Sequence, residues 1–425
     1  MKKNSRKSIF SLVGLFIFVT LIITSTSNEA KAATDEGFIY GKVTMVDDNS
    51  YTGQIRWGKE ETFWTHIFNS TKLSNKNLEH LSRKDRKLLD KNSKSSSNSW
   101  FADSFSIRFS DYENEYNHVF ATQFGNIKSI KILGREEVEV ELKNGEIIEL
   151  EGGSNDIGTK IKVLDTELGE IDLKWKRIEK VEFMETPSSL EYKIGAPLYG
   201  TVKTSEGKFT GIVQWDLEEC VTTDKLDGDS KNGDVSIEFG KIKSITKERR
   251  GSLVKLHSGR EIYLTGTNDV NSDNRGVAIS VDGIGRVEVG WRDFKSVTYE
   301  NNANTSGKKY DSFKETKRLN GKIKTIDDNI FSGIITFDLD ERLDMEILSG
   351  MIDKTEFLIP FSNIKKIHPK NSSYSKVELK NGEKLLLGKG QDVTDRNNGV
   401  LVFKDEKDDE PKYIPWDRID EIEFD

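Results

Sequence analysis

One phrase recurs six times along the 425-residue chain, and it constrains the fold more than any other feature. An aromatic residue is followed, at steps of three, by two further apolar residues. The six sets are Phe124, Ile127 and Ile130; Trp175, Ile178 and Val181; Phe239, Ile242 and Ile245; Trp291, Phe294 and Val297; Phe361, Ile364 and Ile367; and Trp416, Ile419 and Ile422. The leading residue alternates strictly between Phe and Trp, so the unit is a pair and the pair occurs three times. A spacing of three keeps side chains on one face through a single 3₁₀ turn, and the closing Ile422 and Phe424 have strand spacing. Each phrase therefore reads as a strand end, one tight turn and a closing strand.

Two hairpin signatures accompany the phrases. Tyr40 to Trp57, Tyr199 to Trp215 and Asn320 to Phe337 align almost without gaps, each with apolar residues at alternate positions split by a polar turn. Val138 to Leu150, Val254 to Leu264 and Val377 to Leu387 are alternating strands broken by Asn-Gly or Ser-Gly, whose positive φ angles favour tight hairpins. The chain thus divides into residues 34–185, 195–300 and 317–425, joined by residues 186–194 and by a stretch at 301–316 polar enough to be mobile. An insertion at 70–122 enlarges the first repeat. Leu78, Leu81, Leu88 and Leu89 lie near one helical face within it, which predicts one short amphipathic helix. The fold expected is all-β.

A small barrel needs such a hinge so that its last strand pairs back with its first, and the Trp or Phe then plugs a core too small for aliphatics alone. Six phrases imply six closures. The pattern resembles the SH3-like and PRC-type small β-barrels, in which a 3₁₀ turn precedes the last strand. VELKNGEKLLL and YIPWDRIDEIEF also resemble a module of uncharacterised exported bacterial proteins. The resemblance implies three tandem repeats, each of two small SH3-like barrel units, and carries no catalytic residue with it.

The first 32 residues read as a signal peptide: Lys2, Lys3, Arg6 and Lys7, an apolar run from Ile9 to Ile23, then Ala30-Lys31-Ala32 before a new terminus at Ala33. The rival is an uncleaved anchor, but fifteen helical residues rise only about 22 Å against a hydrocarbon core of roughly 30 Å. Export places the protein in a periplasm, at a cell surface or outside the cell, with no integral membrane segment left after cleavage. Losing five positive charges and one negative takes the net charge from −8 to −12. Nucleic acid and anionic membrane surfaces would both repel such a chain at long range. The single cysteine, Cys220, excludes an intrachain disulfide and fits a bacterial envelope.

The candidate binding residues form two sets. An acidic pair follows each first hairpin: Glu60-Glu61 behind Trp57, Glu218-Glu219 behind Trp215, and Asp340-Glu341 behind Phe337. Carboxylates beside an aromatic platform suit a cation or a sugar, whereas the plainer reading is a solvated loop that protects a barrel edge. Trp57, Glu61, Trp64 and His66 lie close together, which suits carbohydrate stacking and, more remotely, proton transfer. Asp269, Asn271 and Asp273 have the spacing of a calcium-loop start but lack its glycine and final glutamate. No cofactor, metal or nucleophile motif stands out. The function expected is a non-catalytic binding or scaffolding protein that engages an envelope protein or glycan. The alternative is an enzyme or binding protein acting on carbohydrate through the Trp/Glu cluster.

Overall fold

The hairpin signatures form strands where alternation places them. The computed structural model describes residues 35–86, 119–152, 156–300 and 307–425. The signal-peptide reading, Leu88, Leu89 and most of the insertion lie outside the described residues. Among those described, the chain is all-β, its sheets antiparallel, and no helix is long and apolar enough to cross a membrane.

Five of the six phrases form a three-residue 3₁₀ turn followed directly by a strand, as at Trp175–Arg177 and Ile178–Phe183. The sixth, at Trp291, is a turn that leads into Phe294–Tyr299. The strand after each Trp phrase pairs back with the opening strand: Val181 lies opposite Val43, Val297 opposite Val202, and Ile422 opposite Ile323. After the Phe phrases the return contact differs from the expectation. It is made one hairpin later, by the strand that follows the Asn-Gly or Ser-Gly turn, at Thr71↔Glu151, Asp229↔Thr265 and Met351↔Gly388. The strand directly after the Phe phrase is already paired with the Trp-phrase strand, at Ile130↔Val181, Ile245↔Val297 and Ile367↔Ile422. The two five-strand paths of each segment therefore share a seam.

Glycine makes the tight curl possible. Gly41 and Gly53 lie opposite each other in the first hairpin, and a Cβ on Gly53 would collide with the carbonyl oxygen of Leu164 on the next strand. Gly211 and Gly333 meet carbonyls of Ser280 and Phe403 in the same way. Only a residue without a side chain lets backbones approach so closely. Gly53→Ala is expected to lower unfolding free energy by about 2–3 kcal/mol, because the obstruction is backbone and not a movable side chain. Urea denaturation checks this, and a loss below about 0.5 kcal/mol would contradict it.

The cores are aromatic at matching points. Trp57 meets Trp175 edge-on at 6.0 Å, Trp215 meets Trp291 at 6.1 Å, and Phe337 meets Trp416 at 5.8 Å. Such T-shaped pairs add roughly 0.5–1.5 kcal/mol beyond burial. The described residues between 35 and 425 form one compact unit. Strand Gly285–Val289 of the second segment pairs with Thr355–Pro360 of the third, with Glu288 opposite Glu356. The described part of the connector, residues 307–316, packs against the first segment: Phe313 is buried in that segment's core, Tyr310 lies 4.5 Å from Trp64, and Lys143 donates to the Tyr310 carbonyl at 2.5 Å. The insertion is narrower than 70–122, because its ends belong to the paired strands Ile67–Lys72 and Val119–Gln123; between them Lys76–His80 is a 3₁₀ turn and residues 83–86 are helical. Leu81 packs there against Leu339 and Leu401 of the third segment.

Candidate functional site

The acidic pairs follow the aromatic that ends each second strand, and local geometry separates the two members. The chain reverses in a tight loop held by Trp57 N–H to Glu61 O (2.8 Å), Trp215 N–H to Glu219 O (2.7 Å) and Phe337 N–H to Glu341 O (2.7 Å). The turn requires positive φ. Gly58 supplies it in the first segment, while Asp216, Leu217, Asp338 and Leu339 adopt it in the other two. The second acid of each pair is thereby turned inward and the first faces a neighbouring segment.

Each inward glutamate meets a second carboxyl that adjacency along the chain does not reveal. Asp156, Asp269 and Asp392 come from the loop before the strand that pairs with the aromatic strand. Their carboxylates accept backbone N–H groups of Asn69 (2.8 Å), Asp227 (2.7 Å) and Ser349 (2.6 Å). The Trp57 and Trp215 indoles donate to the backbone carbonyls of Asp156 and Asp269 at 2.8 and 2.9 Å, which fixes the loops. Burial and a second carboxyl nearby both disfavour the ionised form. Burial, reinforced by Asp156, holds the Glu61 carboxyl well above the usual range, and burial pushes Asp156 up to about 8. Burial and Asp269 push Glu219 up to about 9, and burial brings Asp269 to about 6. Glu341 is likewise raised by burial and Asp392, and Asp392 reaches about 7 through burial. The Oε2 atoms of Glu219 and Glu341 find no hydrogen-bond donor, which fits carboxyls kept neutral.

The outer acids join segments. Glu60 and Glu218 converge on Arg275 at 3.5 and 3.0 Å, and Gln214 donates to the Glu60 carbonyl at 2.7 Å. Arg56 of the first segment reaches Asp224 at 2.7 Å and the Glu218 carbonyl at 3.2 Å. Asp340, with Glu346, holds the buried Lys72 ammonium at 2.9 and 2.5 Å. The solvated-loop reading therefore does not describe Glu61, Asp340 or Glu341, which are buried, while Glu60, Glu218 and Glu219 are partly exposed.

Trp57 and Trp64 are fully buried, so neither presents a face to a sugar ring. Trp64 donates instead to the Thr186 hydroxyl at 3.1 Å. His66 accepts the Thr62 N–H on Nδ1 at 3.2 Å, and burial together with Arg286 and Arg56 lowers its pKa well below the ordinary value. It is a neutral cap. The Cys220 thiol faces the Thr62 hydroxyl at 3.3 Å, and burial pushes it up to about 12. Asn271 closes a turn by accepting the Asp273 N–H at 2.7 Å while Asp269 serves its strand, so the calcium spacing is loop chemistry. Among the described residues no group of three His, Cys, Asp or Glu side chains could hold a metal ion.

The chain matches no protein-family model, no curated protein and no solved structure.

Proposed function

We propose that the protein is an exported, non-catalytic binding or scaffolding protein of a bacterial cell envelope, built from three tandem repeats of two small SH3-like barrel units each. The repeat reading is supported by the threefold recurrence of the same strand partners, glycine contacts, edge-on aromatic pairs and Glu–Asp pairs. The five-strand path, with a 3₁₀ turn joining two of its strands, supports the barrel reading. One observation carries the function: the aromatics and inner acids that chemistry would need are buried in the segment cores, and the outer acids are engaged by Arg56, Arg275 and Lys72 across segments. A rigid array of similar modules suits multivalent recognition of a polymer or a partner surface. The burial of Trp57 and Trp64 removes the support for a carbohydrate-acting enzyme at that cluster.

The test is to fractionate cells that make the protein, and to mix the purified protein with their envelope extract. The expected result is a protein beginning at Ala33 in the envelope or medium, retaining an envelope protein or glycan without altering it. A cytosolic protein that keeps residues 1–32, or glycan cleavage abolished by Glu61→Gln, would overturn the reading.

A further inference from the structure

An open cleft of about 800 Å³ lies on the first segment, between the turn that joins Ile127–Ile132 to Glu137–Leu142 and the loops before Ile161–Asp165 and Ile178–Phe183. Its floor is apolar: Ile157, Trp175 and Ile178 are buried beneath it. The Trp175 indole donates to the Gly134 carbonyl at 3.1 Å, which ties the floor to the wall. Leu133 and Val46 stand at the rim about half exposed, at 47% and 52%. Large aliphatics left open around a concave surface mark a place where something apolar docks.

The rim has the opposite sign to the rest of the chain. Arg135, Lys160, Lys174 and Lys176 line it with one acid, Glu136, which lies 3.7 Å from Arg135. The three lysines are exposed and have no ion-pair partner among the described residues. They are not needed by the fold. Ile161, Val277 and Val400 occupy matching positions at the starts of their strands. The residue before each is Lys160, Gly276 or Gly399. The residues flanking the phrase tryptophans are Lys174 and Lys176, Gly290 and Arg292, and Pro415 and Asp417. In the second segment Lys247 further caps this position, donating to the Trp291 and Arg292 carbonyls at 2.7 and 2.8 Å. The first segment alone carries a lysine at all three of these positions, and in a chain of net charge −8 they make a local site for an anion.

We infer that this cleft binds an anionic amphiphile, its carboxylate or phosphate held by Lys160, Lys174 and Lys176 and its apolar body laid over Trp175 and against Leu133. This rests on the binding reading above and names a ligand class for it. The lysine stems extend the apolar wall while their heads meet the anion.

Isothermal titration of the purified protein with dodecyl phosphate and dodecanoate, both below micelle formation, tests the inference. Inorganic phosphate and dodecyltrimethylammonium are the controls. One-to-one binding of either anionic amphiphile is expected, with the tighter of the two identifying the acid group. Both controls, and the K160E/K174E/K176E variant, should bind at least about tenfold more weakly. Leu133→Asp, at an exposed turn, should weaken binding similarly and covers the case in which the triple variant misfolds. Equal binding of the cationic amphiphile, unchanged affinity in folded variants, or no binding to the native protein would overturn the inference. A triple variant that still captures the envelope partner retained by the native protein would overturn the cleft while leaving the binding reading standing.

Discussion

Lys72→Met is expected to destabilise the protein by about 3–5 kcal/mol, the usual cost of stranding buried charges. The Lys72 ammonium is a buried cation of the first segment, and its partners, Asp340 and Glu346, belong to the third. Methionine matches the stem and removes the charge, which leaves two carboxylates in a pocket that already holds Glu341 and Asp392. Glu346 would retain the Arg342 and Leu343 N–H groups at 2.7 and 2.9 Å, so Glu346→Gln in the same chain should recover part of the loss by keeping one acceptor and removing one charge. Urea denaturation of the two variants measures both numbers. A Lys72→Met loss below about 1 kcal/mol would mean that the contact joins nothing of consequence.

Stability should fall on the alkaline side of neutrality. Asp392 at about 7, Asp156 and Glu356 at about 8 and Glu219 at about 9 are all raised above ordinary carboxyl values, chiefly by burial. A raised carboxyl is protonated in the folded chain at pH values where the unfolded chain has already released its proton. The stability it contributes is whole below about pH 4 and is lost as pH rises through the folded value. Paired acids such as Glu141 and Asp165 are lowered and act oppositely, but only in acid. From pH 5 to pH 9 the protein should therefore lose at least about 4 kcal/mol of unfolding free energy, since each pH unit between a group's unfolded and folded values costs up to about 1.4 kcal/mol. Replacing Glu356 with Gln should flatten the profile, because Glu356 lies opposite Glu288 across the second and third segments and its ionisation sets like charges together. A profile level from pH 6 to 9 would contradict buried carboxyls held neutral in the folded chain.

The strands and turns were legible because their signals are local. Alternation, Asn-Gly turns and the spacing of Trp175, Ile178 and Val181 each report on a few neighbouring residues, and the structure keeps them. The first-segment return contact was misread because the phrase strand has two sides: Ile130 faces Val181 on one of them, so closure passes to Glu151. The acidic pairs were recognised by position but placed in solvent, since adjacency cannot say which of Glu60 and Glu61 turns inward. Their partners left a signal that calcium spacing obscured. Asp156-Ile157, Asp269-Val270 and Asp392-Val393 share an acid followed by a buried aliphatic, a threefold match of the same kind as the aromatic phrase. The connector at Tyr310 and Phe313 was read as mobile from its polar composition, yet two aromatics suffice to dock it. The cleft could not be read at all, because its four cations come from three separate loops.

The central claim is that these recurrent acids and their cations weld three segments into one cooperative unit. Differential scanning calorimetry of the native protein tests it most directly, by comparing calorimetric with van't Hoff enthalpy. A single transition with the two enthalpies equal, displaced as a whole to lower temperature by Lys72→Met, is the predicted result. Separate transitions, of which Lys72→Met moves one or none, would contradict it.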